Sequence, residues 1–173
     1  MRIALRYTIA VTCVLVLALS SLWLIASKQN AEEQHLIAEL KNTLSSLELN
    51  NVKYFGRGED CQFIVYRDRR VSSKPNIDCG PSQTKLDAFH RFEQSDTEVF
   101  DPLSSELPSK VEFVGVQYDS SEKILEVEFR LTAMHRTYGY VYHPAYGGLP
   151  QNDADNRYER IDSEWYRHFQ DAL

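Results

Sequence analysis

The sequence lacks the short motifs that mark several common classes of enzyme. It contains no nucleophile elbow of the Gly-x-Ser-x-Gly type, no glycine-rich phosphate loop and no His-Glu-x-x-His zinc motif. Paired carboxylates at a spacing typical of acid–base catalysis are missing too. We therefore expect a protein that is not an enzyme and that has neither a cofactor nor a catalytic metal.

Basic side chains are also scarce. The chain has 19 lysines and arginines against 25 aspartates and glutamates, which gives a net charge of −6. Three of the basic residues, Arg2, Arg6 and Lys28, lie beside one apolar run, so the rest of the chain is more acidic still. Because this balance repels polyanions, it argues against a nucleic acid partner and against binding to an anionic lipid surface.

Cysteine is rare, and its three positions differ in kind. Cys13 lies in the apolar run and is interpreted as a small hydrophobic residue. Cys61 and Cys79 both lie in the polar part of the chain, where an oxidising compartment would favour a disulfide between them. In the chain-entropy model, closing a loop of that size stabilises the fold by about 3 kcal/mol.

Charge is absent altogether from Tyr7 to Ser27. As a helix this run would be roughly 31 Å long, close to the thickness of a bilayer's hydrocarbon core. Arg2 and Arg6 before the run favour a cytoplasmic N-terminus, and Trp23 suits the aromatic belt at the other side. We therefore predict a single-pass span of the inner membrane through residues 7–27, with the following domain outside the cytoplasm.

A cleaved signal peptide is the alternative interpretation of the same run. The triplet Ala18-Leu19-Ser20 would serve as a cleavage site. Cleavage after Ser20, however, would leave the apolar residues 22–25 at the new N-terminus with nothing to bury them. The retained anchor is therefore the favoured interpretation.

The pattern after the span predicts an α+β architecture: a transmembrane helix that continues into an amphipathic helix, then a small antiparallel β-meander domain with one or two short helices. The corresponding domain boundaries are 1–28 for the cytoplasmic stub and anchor, 29–50 for the juxtamembrane helix and 51–173 for the extracytoplasmic domain. The helix is indicated by apolar residues spaced three and four apart, namely Leu36, Ile37, Leu40, Leu44 and Leu47. Packing against the domain's own sheet is the expected role of that stripe, although it also fits a short coiled-coil seam.

Alternating and β-branched residues predict the strands of the domain. They indicate a hairpin of 52–55 with 62–66, then a meander of strands at 111–116, 125–131 and 135–142. Strand 125–131 alternates apolar and charged residues, so we expect one of its faces in the core and the other in water. A short helix is predicted from 84 to about 94, and turns with room for a single helical turn over 97–107. A terminal helix is predicted through Ile161, Trp165 and Phe169, although a strand ending at Trp165-Tyr166 fits nearly as well.

A row of tyrosines is the most suggestive feature of the predicted sheet. Tyr138, Tyr140 and Tyr142 share one face at period two, and Tyr146 follows in the next loop. Exposed, the row would form a binding face, because tyrosine combines a large contact area with a polar tip. Buried, it would belong to the core, which is the more usual place for such a strand face.

Two further groups of residues resemble metal sites only in part. Residues 152–156 are rich in side-chain oxygens, but the position of the third ligand of an EF-hand loop is taken by Arg157. His135 and His143 have no third residue at a spacing that would complete a zinc site. We therefore predict no metal site in either place.

Together these patterns predict a membrane-anchored accessory or interaction protein that binds another envelope protein or a small ligand. A second hypothesis is a filament subunit, because the layout is similar to that of type IV pilins and pseudopilins. Those proteins also place an apolar N-terminal helix before an amphipathic half, followed by an antiparallel sheet with a disulfide. The resemblance is one of architecture, since the family's processing site and the glutamate of its mature helix are absent from residues 7–27.

Overall fold

The computed structural model describes residues 2–47, 49, 51–58, 61–67, 69–74, 89–133, 136–144, 150–153 and 155–170. It describes the backbone alone for residues 2–19, 22, 25, 29, 132–133 and 136–138. The chain divides into two compact units, Met1–Asn42 and Thr43–Leu173. The fold class is α+β, with few helices and one large sheet.

Helix α1 extends from Arg2 to Ser46 without a break, so the predicted span and the predicted amphipathic helix lie on one element. In its second half Leu36 and Leu40 are buried while Glu39 and Lys41 are exposed, the one-sided pattern that the spacing predicts. Asn51, in the left-handed conformation with φ 64°, turns the chain from α1 into the first strand.

Within the part of the chain that the structure describes, no helix is both long enough and apolar enough to cross a membrane. The transmembrane span over residues 7–27 therefore stays a prediction.

In the described residues of the second unit, nine strands form one sheet. In chain order the strands are β1 (Val52–Arg57), β2 (Gln62–Tyr66), β3 (Arg69–Ser72), β4 (His90–Arg91), β5 (Phe113–Tyr118), β6 (Ile124–Ala133), β7 (Arg136–Tyr142), β8 (Asn156–Arg160) and β9 (Trp165–Gln170). Their order across the sheet is β4-β3-β2-β1-β5-β6-β7-β9-β8. The predicted hairpin β1–β2 and the meander β5–β6–β7 are confirmed.

The expectation of a small antiparallel β-meander domain needs correction in two respects. The hairpin and the meander join through the β1–β5 pair, so that they form one continuous sheet. Strands β3 and β4 are paired in parallel. A parallel pair needs a long connection, which the chain between Ser72 and His90 provides.

Two helix predictions also need correction. The final segment is strand β9, which pairs with β7 on one side and β8 on the other. Apolar residues four apart share a face in a strand as well as in a helix, because four is an even number, and here the strand pairing decided. The second helix, α2, covers Gln94–Glu106, where turns were expected, and the part of the predicted helix 84–94 that the structure describes includes strand β4 instead.

Helix α2 covers one face of the sheet at β1. The rings of Phe55 on β1 and Phe100 on α2 lie 4.9 Å apart, and Leu103 is buried on the same helix. On the opposite face Phe63 and Val65 of β2 form a second apolar cluster with Phe89. The β1–β3 end of the sheet is therefore covered on both sides, and α2 forms one wall of the candidate site.

Candidate functional site

A cleft of about 630 Å³ lies between α2 and the strands β2, β3 and β4. One wall is the α2 face that carries Thr97, Asp101 and Ser104. The other wall comes from the ends of the strands, with Gln62, Ser73 and Arg91. Its volume is in the range of small-molecule sites, and we take it as the candidate functional site.

The N-terminal end of α2 is fixed to the sheet by a buried carboxylate. Asp96 has no exposed surface and accepts a 2.6 Å hydrogen bond from the Tyr66 hydroxyl. The guanidinium of Arg69 donates to both of its oxygens, at 2.9 and 3.0 Å. The backbone N–H of Glu93 donates to Asp96 at 2.9 Å and completes a capping box.

The C-terminal end of α2 is held by one arginine of β1. Arg57 donates from Nε to the carbonyl of Val111 at 2.7 Å and also binds the carbonyls of Ser104, Leu107 and Pro108. A cation is favourable at this end, because the last carbonyls of a helix have no partner within it. Burial lowers the pKa of Arg57, although the charge of Glu112 raises it in part.

Two charged side chains of the cleft have no charged partner among the residues that the structure describes. Arg91 on β4 and Asp101 on α2 both line it, and neither has a hydrogen bond or ion pair with any residue that the structure describes. Phe92 also lines the cleft and is half-buried. Its ring packs edge-on against Phe100, with ring centroids 5.2 Å apart. The cleft thus offers one cation, one anion and one apolar surface.

A second polar cluster lies on the strands β6, β8 and β9. One carboxylate oxygen of Glu128 lies 2.8 Å from Nδ1 of the buried His168. The other accepts a hydrogen bond from Nη2 of Arg130, also at 2.8 Å. Nε2 of His168 lies 3.0 Å from the Asn156 amide oxygen, and the Tyr158 ring stacks on the imidazole at 4.6 Å. Burial raises the pKa of Glu128, but the hydrogen bonds from His168 and Arg130 lower it by more.

This cluster corrects the expectation that one face of strand 125–131 points to water. The Glu128 side chain is only 14% exposed, because its partners and Tyr158 cover it. Burial, together with the negative charges of Glu126 and Glu128, raises the pKa of Tyr158 to about 12. Since His168 and Glu128 use each other as partners, the cluster is best explained as a structural network in the sheet.

His143 extends the cluster, with Nδ1 3.2 Å from a carboxylate oxygen of Glu126. Within the described part of the chain, Nε2 of His143 and the hydroxyl of Tyr166 are buried and have no hydrogen-bond partner. Both atoms have almost no surface in contact with solvent. Among the residues described, no three histidine, cysteine or acidic side chains are placed to hold a metal ion.

The structure places the predicted tyrosine row as follows. Tyr140 is 1% exposed and belongs to the core of the sheet. Tyr142 is half-buried against Trp165, with ring centroids 5.6 Å apart. The side chain of Tyr138 and all of Tyr146 lie outside the described residues, so an exposed binding face is still a prediction for those two.

The predicted disulfide is described at one end only. Cys61 is disulfide-bonded, and its sulfur lies 3.2 Å from the Ser72 hydroxyl. Cys79 lies outside the described residues, so the pairing stays a prediction.

In the oxygen-rich segment 152–156, Asp153 accepts hydrogen bonds from the backbone N–H groups of Asp155 and Asn156. This is the local role expected of an aspartate in a turn.

The charged residues of the cleft were not singled out from the sequence. Arg91 and Asp101 stand ten positions apart, and no periodicity connects a two-residue strand to a helix. Only the parallel β3–β4 pair and the packing of α2 bring them to one cleft.

No protein-family model, curated protein or solved structure matches the chain.

Proposed function

We propose that this chain is a single-pass membrane-anchored protein whose extracytoplasmic domain binds an envelope protein or a small ligand and catalyses no reaction. The observation that carries the proposal is the exposure of two large apolar side chains on α1. Trp23 is 71% exposed and Leu24 is 61% exposed, and both lie in the uncharged run 7–27. Such surface is unfavourable in water and favourable in lipid.

Two further observations support the anchor and its direction. Arg2 and Arg6 precede the uncharged run, which favours a cytoplasmic N-terminus. A disulfide-bonded Cys61 suits an oxidising compartment on the far side of the membrane. The binding role of the domain rests on the cleft between α2 and the sheet, which has the size of a ligand site.

Fractionation of cells that express the full chain tests the anchor. We expect the protein to stay in the membrane pellet after washing with alkaline carbonate, and protease added to spheroplasts to digest the domain. A peripheral protein of the same envelope, released by carbonate, is the control. Recovery of the chain in the carbonate supernatant, or protection of the domain from protease, would refute the proposal.

A filament subunit similar to type IV pilins and pseudopilins is the second candidate. One observation favours it: α1 is a single helix of 45 residues that precedes a largely antiparallel sheet. Mass spectrometry of the purified chain separates the candidates. An N-terminus that still begins at Met1 argues against processing of the pilin kind, whereas a new N-terminus at the start of the apolar run would favour it.

A further inference from the structure

We propose that His168 is doubly protonated in the folded domain and that its second proton keeps Asn152 and Asp153 bound over the free edge of the sheet. The contact between them would then respond to pH. This inference concerns the β8 end of the sheet and depends neither on the candidate cleft nor on the membrane anchor. It rests on the acceptors at both nitrogens of His168, on the orientation of the Asn156 amide, and on the backbone groups of β8.

One nitrogen of His168 faces a carboxylate that can only accept. Nδ1 lies 2.8 Å from one oxygen of Glu128, whose other oxygen accepts from Nη2 of Arg130 at 2.8 Å. Burial raises the pKa of Glu128, but the hydrogen bonds from His168 and Arg130 lower it by more. Glu128 is therefore ionised and has no proton to donate, so Nδ1 of His168 carries one.

The other nitrogen faces an amide oxygen whose orientation is fixed. Nε2 of His168 lies 3.0 Å from Oδ1 of Asn156. Turning that amide by 180° would offer an N–H group to Nε2 instead, but Nδ2 of Asn156 lies 3.1 Å from both carboxylate oxygens of Asp153. The turned amide would place its oxygen against this carboxylate, an acceptor against an acceptor. Nε2 of His168 therefore donates as well, and the ring is an imidazolium.

The surroundings of the ring favour a cation. Tyr158 stacks on the imidazole with ring centroids 4.6 Å apart and 6° between the planes, and aromatic faces attract cations. On the neighbouring strands and the segment before β8, the described titratable and charged groups of this cluster are Glu126, Glu128, Arg130, His143, Asp153, Tyr158 and Tyr166. Since these include three carboxylates and one guanidinium, the positive charge of His168 improves the balance.

The same bonds hold a cover over the edge of the sheet. Strand β8 pairs with β9 on one side, and no strand of the described residues lies on its other side. There the Tyr158 N–H donates to Oδ1 of Asn152 at 2.6 Å, and the Asn156 carbonyl accepts from the Asp153 N–H at 3.0 Å. Unpaired backbone groups on an edge strand favour pairing with another chain. Asn152 and Asp153 therefore block this part of the edge.

Loss of one proton from His168 disrupts the arrangement. A bare Nε2 would direct its lone pair at Oδ1 of Asn156, and a bare Nδ1 would direct it at the carboxylate of Glu128. If the Asn156 amide turned to donate to Nε2, it would lose its bonds to Asp153. Because the fold matches the cationic ring, the cover is held while both protons are present and loosens as the pH rises and one leaves.

Hydrogen exchange of the full chain in lipid nanodiscs, followed by mass spectrometry from about pH 6 to about pH 9, tests the inference. Each exchange rate is divided by the intrinsic rate at the same pH, and the amides of β1 and β2 are the internal reference. We expect the protection of residues 156–160 to fall by about fivefold or more relative to that reference as the pH rises. His168→Gln and Asn156→Ala should each remove most of this pH dependence.

Two other histidines provide matched controls. His90 is exposed on β4 at the opposite edge of the sheet, and Nδ1 of His143 faces Glu126 in the same cluster. His90→Gln and His143→Gln should both keep the pH dependence of residues 156–160. The variants are first required to melt within a few degrees of the unmodified protein. If His168→Gln and Asn156→Ala both fail, ¹⁵N chemical shifts of the His168 ring in the unmodified chain decide, with both nitrogens protonated at about pH 6.

Three results would overturn the inference. The first is protection of residues 156–160 that does not change with pH in the unmodified chain. The second is a pH dependence that persists in His168→Gln or disappears in His143→Gln, since either would assign it to another group. The third is a His168 ring with one bare nitrogen in the folded domain at about pH 6.

Discussion

At the scale of single residues, Asp96 is the most informative group in the domain. Burial raises the pKa of this carboxyl, but the hydrogen bonds from Arg69 and Tyr66, with one from a backbone N–H, lower it further, to below the ordinary value of 3.8. The folded state therefore favours the charged form. Its contribution to stability is complete above the unfolded pKa and is lost as the pH falls through the folded pKa.

We predict from this that Asp96→Asn lowers the free energy of unfolding by about 2 kcal/mol at pH 7, since the charge-assisted bonds are lost while the partly exposed Arg69 regains water. The stability of the original chain should fall more steeply than that of the variant from about pH 4 downward. Urea titrations between pH 7 and pH 2 measure both effects. Glu98→Gln on the same helix is the control, and parallel pH profiles for all three proteins would contradict the assignment.

Gly139 is a second residue whose role depends on its neighbours. A Cβ atom placed there would lie 2.6 Å from the carbonyl oxygen of Phe129 on the adjacent strand. The close approach is to backbone, so a side chain cannot be accommodated by a change of rotamer. Strand β7 lies between β6 and β9, which leaves it no room to move outward.

Gly139→Ala should therefore cost about 2 kcal/mol of stability, in the range of overpacked cores. Gly58→Ala serves as the matched substitution, because its Cβ would lie 3.7 Å from the nearest atom, the Cys61 carbonyl oxygen. Thermal melting followed by circular dichroism should show a clear decrease for the first variant and little change for the second. Equal melting temperatures for the two variants would be evidence against a close contact at Gly139.

At the scale of elements, α2 stands out because its sequence gives little reason for it to be helical. It contains Pro102, and the Glu93–Asp96 capping box places the acidic residues in an order different from the usual pattern of Ser or Thr before Glu. Its helical state depends on partners from the strands: the Tyr66–Asp96 bond at one end and Arg57 at the other. The sheet therefore holds α2 in place and, with it, one wall of the cleft.

Arg57→Ala should loosen this helix from its C-terminal end. Four carbonyls lose the bond from Arg57, although that of Pro108 still accepts from the Val111 N–H. We expect a decrease of about 3 kcal/mol in the free energy of unfolding. Hydrogen exchange followed by mass spectrometry should show faster exchange of the amides over 94–106 than of those in β5 and β6. Lys53→Ala, on the exposed side of the same strand, provides the comparison, and unchanged protection of α2 in the Arg57 variant would argue against the capping role.

At the scale of the whole molecule, the predicted disulfide links the stability of the domain to the compartment in which the domain lies. Cys61 immediately precedes β2, and the predicted partner Cys79 lies in the sequence between β3 and β4. A bridge between them would tie that connection to the sheet beside the candidate cleft. Such a bond persists only where the surroundings are oxidising, so it depends on the predicted direction of the anchor.

Cys79→Ser should lower the free energy of unfolding by about 3 kcal/mol, and a reductant should have no further effect on it. Reduction of the unmodified chain should produce the same decrease, whereas Cys13→Ser should behave as the unmodified chain does with and without reductant. Urea denaturation with and without dithiothreitol provides the measurement. If Cys79→Ser is as stable as the original and still responds to reductant, Cys61 has a different partner.

The sequence by itself determined the elements whose patterns are local. Alternation over 125–131 predicted β6, the runs at 52–55 and 62–66 predicted the first hairpin, and the three- and four-residue spacing after residue 30 predicted the second half of α1. Each pattern is complete within one segment, because side-chain period follows directly from backbone geometry.

Only the tertiary structure decided the rest, because the deciding contacts join distant parts of the chain. Strand β9 forms through pairing with β7 and β8, and α2 through bonds from Tyr66 and Arg57, which are 30 and about 50 positions away. The burial of Glu128 and the placement of Arg91 and Asp101 along one cleft have the same origin. A local sequence pattern determines which face of its element a side chain occupies. The packing of other elements determines which residues that side chain contacts.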